Sequence, residues 1–175
     1  MELNLEKYRD ALERHLLEAC TGAGYLGGTL LSTPDIDEVW ERYAPSFIGD
    51  AVLNFNEYPE YCLGCAGYLG MAVAFYWDAD WAKYRDKPYS AFLGGRGFDD
   101  MDDHITGDIL RETEFSVAAM QSTAASAWHF LMRESPEPGT APAYRMFLAT
   151  VEVMYRIGAA IELHRLGYKF EKVKY

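Results

Sequence analysis

The chain has 175 residues, 50% of them hydrophobic and 25% charged, a balance that suits one globular domain, 1–175, with a substantial buried core. Its formal net charge of -11 at pH 7 excludes a phosphate-neutralising surface, so neither nucleic acid nor an anionic membrane is an expected partner. An acidic surface suits cations, basic partners or plain solubility.

Charge begins at Glu2, so no apolar run follows a basic segment as it does in a secretory leader. Three cysteines are too few for a disulfide framework. Together these point to a reducing, cytoplasmic setting. Leu5, Tyr8, Leu12, Leu16 and Ala19 fall at helical spacing, with charged residues between them, and predict an amphipathic helix over roughly 3–20. Gly22, Gly24, Gly27 and Gly28 then break it. Thr33-Pro34-Asp35 supplies a capping hydroxyl, a proline suited to the first turn and an acid for the dipole, so a second helix starts there. Pro45 is expected to end it, with a short helix following over Phe47 to Leu53.

The stretch from Tyr61 to Tyr84 is the expected central helix. Its uncharged part, Tyr61 to Trp77, is near the lower limit for a membrane span and is flanked by Glu60 and Asp78 rather than by basic residues. Gly64, Gly67 and Gly70 recur every third residue. Each glycine costs a helix about 1 kcal/mol relative to alanine. The spacing makes sense if another helix backbone packs very close. After a connection broken by Gly94, Gly95 and Gly97, an acidic helix is expected over 98–112, burying Phe98, Met101, Ile105 and Ile109. A further helix covers roughly 115–134, and Ser135 to Gly139 is a loop. The last helix starts near Pro142, buries Phe147, Val151, Met154, Gly158 and Ile161, and sets Glu152 four residues before Arg156. Gly167, with Tyr168 placed to meet Leu163, carries a Schellman-type ending. No segment alternates as a strand does. The fold class is all-α: a bundle of about six helices around the small-residue-rich segment 61–84.

Two groups of residues carry chemical possibilities. Asp99 and Asp103 are four apart and Asp99 and Asp102 three apart, so both pairs project toward one side of a helix, with Asp100 and His104 beside them. Hard carboxylate oxygens in that pattern suit Mg²⁺ or Mn²⁺. Acids at a helix start also serve the helix dipole without any ligand. Glu38 and Glu41 have the Glu-x-x-Glu spacing that resembles the metal-binding helix of MazG-type nucleotide pyrophosphohydrolases, and Glu57 and Glu60 have a comparable spacing. The second group is Cys62-Leu63-Gly64-Cys65. Near a helix N-terminus its first thiol is open to a lowered pKa. The pair resembles the Cys-x-x-Cys helix of the alkylhydroperoxidase-D and carboxymuconolactone-decarboxylase group. The resemblance implies thiol redox chemistry, with Asp50 standing for the upstream acid and Leu69 where that group has histidine. Small cysteines are equally at home in a close helix contact.

The leading expectation is a cytoplasmic all-α domain that works by binding, to itself as a homodimer or to another protein, without catalysis or cofactor. A divalent-cation-dependent protein acting on a phosphorylated small molecule through Asp99, Asp100, Asp103 and His104 is the alternative. A thiol redox protein using Cys62 and Cys65 comes third.

Overall fold

A computed structural model describes residues 4–55 and 59–168. The described residues form six α-helices and no strand: α1 (Leu5–Gly22), α2 (Pro34–Phe55), α3 (Pro59–Tyr84), α4 (Met101–Asp103), α5 (Thr113–Arg133) and α6 (Ala141–Arg165). All of them contribute to one hydrophobic core, so the all-α bundle is as the apolar periodicity predicts. None of these helices is long and apolar enough to cross a membrane.

Side chains fix the helix starts. Asn4 accepts the Lys7 amide at 3.0 Å, Thr33 accepts that of Ile36 at 3.0 Å, and Thr140 accepts that of Ala143 at 3.3 Å. The end of α6 is the expected Schellman turn: Gly167 has φ +98° and the Tyr168 amide donates to the Leu163 carbonyl at 3.1 Å.

Helix α3 is the axis of the bundle. Every residue from Cys62 to Ala74 is buried, which explains why the segment carries no polar face. Its main partner is α6, then α5 and α2. The small-residue spacing serves the close approach expected of it. A Cβ at Gly70 would run into the backbone of Tyr155 and Ala159, and one at Gly158 would run into the backbone of Gly67. Two helix backbones are in direct contact here.

Four expectations need correction. Pro45 does not end the second helix, because α2 runs through it to Phe55. Ile36, Trp40, Tyr43, Phe47 and Ala51 keep one buried stripe going across the proline, and that burial outweighs a missing N–H. In α1 the last buried position is Cys20; Ala19 is exposed. Helix α3 contains a break the periodicity did not reveal. Asp80 leaves helical geometry at φ -167°, ψ 76°, and its carboxylate accepts the Lys83 amide at 3.3 Å, recapping the final turn. Lastly, Glu152 and Arg156 do not pair along α6. Arg156 reaches Glu13 at 2.7 Å and Glu152 lies 2.9 Å from Arg9, so both charges tie α6 to α1.

The acidic segment is also not a regular helix. Phe98–Asp100 is a 3₁₀ turn, Met101–Asp103 a single α turn, and His104–Ile109 a π-helical turn closed by the Leu110 amide on the Ile105 carbonyl at 2.8 Å. Ile105, Thr106, Ile109 and Leu110 are buried along this turn, whereas Phe98, expected in the buried stripe, is half-buried.

Candidate functional site

Where α3, α4 and α5 meet, a cleft of about 380 Å³ opens. That is the size of small-molecule sites, which run from roughly 300 to 1,000 Å³. Helix α3 supplies Glu60, Tyr61 and Tyr68, the start of α4 supplies Asp102, and α5 supplies Met120 and Gln121. Gly64 and Ala124 form a flat apolar floor between them. The spacing explains the α3 contribution. Residues 61, 64 and 68 are three and four apart, hence on one face, and Glu60 sits beside them at the helix start.

Tyr61 organises the polar rim. Its hydroxyl lies 2.8 Å from the Asp99 carbonyl, 3.0 Å from that of Phe98 and 3.4 Å from the Asp102 carboxylate. A phenol has one proton to donate, and the Asp99 carbonyl is the nearest acceptor. The same hydroxyl shares a hydrogen bond with the Cys65 thiol. Burial pushes the Tyr61 phenol far above its usual range, and the neighbouring Cys65, Asp102 and Asp99 push the same way. Tyr68 is raised by burial and then by Asp102. Burial also lifts the carboxyl of Asp102, and Asp103 adds to the rise, while backbone amides and Tyr61 hold it down. Both phenols therefore stay protonated at neutral pH.

The expected metal residues do not converge. Asp100 is committed to Arg96, accepting its backbone amide at 2.8 Å and its guanidinium Nε at 2.8 Å, and this guanidinium keeps the Asp100 carboxyl low. His104 pairs with Asp108 through Nδ1 at 2.9 Å. Asp99 and Asp103 are exposed. Among the described residues no three His, Cys, Asp or Glu side chains are placed to hold a metal ion. The acid of the run that turns inward is Asp102, paired with Asp99 by spacing but outside the four residues expected to hold the metal. Its position directly after buried Met101, three before buried Ile105, was the available signal.

Cys62 and Cys65 are buried too, at 0% exposure. The expectation of a lowered thiol pKa is overturned: burial pushes Cys62 up to about 11 and Cys65 well above its ordinary value. Cys62 donates to the Ala51 carbonyl at 3.5 Å, so the helix dipole is outweighed by loss of water. Asp50 shares a hydrogen bond with Tyr89, and Tyr89 feels the charge of both Asp50 and Cys65. The acid and the cysteine pair thus lie near one another at this end of the bundle. Rapid reaction of the native protein with an aromatic disulfide reagent at neutral pH is not expected, whereas all three thiols should react after unfolding. Fast native modification of Cys62 or Cys65 would reinstate the redox reading.

A second groove of about 380 Å³ lies between α2 and the end of α3, lined by Asp35, Glu38, Glu41, Arg42, Trp81 and Arg85 among others. Here acids and arginines alternate, and Arg42 donates to the Arg85 carbonyl. Glu38 and Glu41 do share this groove, but Glu57, the start of the second acidic pair, lies outside the described residues.

Compared with known proteins, the chain matches no family model, no curated protein and no solved structure.

Proposed function

We propose that the protein is a binding domain whose ligand site is the cleft between α3, α4 and α5, and that it takes a small molecule there without transforming it. The supporting observation is the lining: Tyr61, Tyr68, Asp102, Glu60 and Gln121 around an apolar floor. Pockets that are mostly apolar, with a few placed polar groups, are the usual form of a small-molecule site. The thiols nearest the cleft are buried and held in the protonated form, which favours binding over nucleophilic chemistry. A protein partner is the less supported occupant. Among the described residues Val52, Met132 and Tyr144 are the large apolar side chains that stand exposed, one each on α2, α5 and α6.

The test uses an exposed position at the rim. Gln121 lies on the surface of α5, so Gln121→Trp should fold normally and place an indole across the opening. Ligand-observed NMR against a fragment set of mixed charge is expected to give hits with the wild type that disappear in the variant. If no hit depends on Gln121, the cleft is not a binding site.

A further inference from the structure

We infer that the ligand class of this cleft is an organic ammonium ion: a small molecule with one protonated or quaternary amine on an apolar body. The inference rests on the reading of the cleft as a binding site and narrows what it accepts.

The first argument is charge. Glu60 and Asp102 line the cleft, and among the described residues no lysine, arginine or histidine does. Asp99 and Asp103 reinforce the field, since Asp99 acts on Tyr61 and Asp103 on Tyr68 and Asp102. An anion would enter against four carboxylates. A neutral molecule could donate a hydrogen bond to them but would bring no opposite charge.

The second is an uncompensated acid. Four other buried or half-buried carboxylates meet an arginine: Glu13 with Arg156, Glu152 with Arg9, Glu162 with Arg165 and Asp100 with Arg96, while half-buried Asp50 lies beside Tyr89. Among the described residues Asp102 has no ion-pair partner, although it too is half-buried. Tyr61 does not substitute for one, because its single proton has a nearer acceptor in the Asp99 carbonyl, 2.8 Å away against 3.4 Å. The backbone amides that hold its carboxyl down supply hydrogen bonds and no opposite charge, so a cation is what this partly desolvated carboxylate lacks.

The third is the character of the walls. Two phenol rings, Tyr61 and Tyr68, are among the lining, and aromatic rings are the side chains that attract an ammonium group. Met120, Gly64 and Ala124 offer apolar contact to a carbon body and no oxygen ligands to a metal. These walls favour an organic cation over a bare divalent ion.

The test is a charge series on one skeleton: 2-phenylethylamine, 2-phenylethanol and phenylacetate, titrated against the full chain by ligand-observed NMR. The amine should bind, the alcohol should bind at least about tenfold more weakly, and the carboxylate not at all. Asp102→Asn keeps the side-chain shape and should weaken the amine about tenfold or more, with an unchanged circular dichroism spectrum. Glu18→Gln, on the exposed side of α1, removes the same charge from the whole protein and should leave binding intact, which separates the cleft from general attraction to an acidic surface. Binding of the alcohol or carboxylate that Gln121→Trp abolishes, at the amine's affinity or better, would overturn the cation inference while leaving the cleft as a site. An amine affinity unaffected by Asp102→Asn would also overturn it. If no member binds in a way that Gln121→Trp removes, both the inference and the site fall.

Discussion

Gly70→Ala should cost the protein about 2 kcal/mol or more, although alanine is the better helix former by about 1 kcal/mol. The added methyl would meet the backbone carbonyl of Tyr155 and the amide of Ala159, and backbone cannot turn aside as a side chain does. To make room, α6 has to move away from α3, and that loosens the most extensive helix contact in the bundle. Gly158→Ala creates the same clash from the other side, against Gly67. For a chain of this length the loss corresponds to a drop in melting temperature of about 4–8 °C. Gly67→Ala should cost less, because its methyl meets the flexible Met120 side chain first. Gly49→Ala, in α2 with nothing within 4 Å, should be neutral or stabilising. The four variants therefore have an expected order in urea unfolding, with Gly49→Ala the most stable and Gly70→Ala and Gly158→Ala the least. A Gly70→Ala protein as stable as the wild type would mean that the two backbones are not in contact.

That contact was legible in the sequence because glycine recurring in an apolar helix has few other uses. The same holds for the helices themselves: Tyr8, Leu12 and Leu16 in α1, or Phe147, Val151 and Met154 in α6, each mark a face by period alone. Where period and local rule disagree, the sequence is ambiguous. Pro45 argues for a helix end, Phe47 and Ala51 for continuation, and only the depth of burial decides between them. The site was much less legible. Acids at helical spacing drew attention to Asp99 with Asp103 and to Asp99 with Asp102 alike, and which of them turns inward is decided by the 3₁₀ and π turns on either side of α4, which reset the face that each residue presents. Tyr61 and Tyr68 read equally well as core filling or as an interface. Their role depends on Gln121 and Met120 arriving from α5, a helix more than forty residues further on, and no local pattern encodes that meeting.

The second large effect is expected at the far end of α6. Glu162 is fully buried, and Arg165, one turn later, holds it with two parallel bonds, Nε to Oε1 at 2.7 Å and Nη2 to Oε2 at 2.6 Å. Burial raises the Glu162 carboxyl, Arg165 opposes the rise, and the charges of Asp78 and Glu112 add to it. Arg165→Met removes the opposing charge and leaves a carboxylate in the core facing two other acids. At pH 7.5 this should cost about 3 kcal/mol. A raised carboxyl means that the folded state holds its proton more tightly than the unfolded chain does. Stability from that group is present below the ordinary carboxylate range and is lost as pH rises through the raised value. The rise is larger without Arg165, so the variant should approach the wild type as pH falls from 7.5 toward 5. Adding Glu162→Leu to Arg165→Met should restore most of the stability at pH 7.5 and remove this pH dependence, since an apolar pair replaces a buried ion pair at little cost. Urea unfolding of the three proteins at both pH values checks the argument. If Arg165→Met matches the wild type at pH 7.5, Glu162 is not held as a charged group in the core.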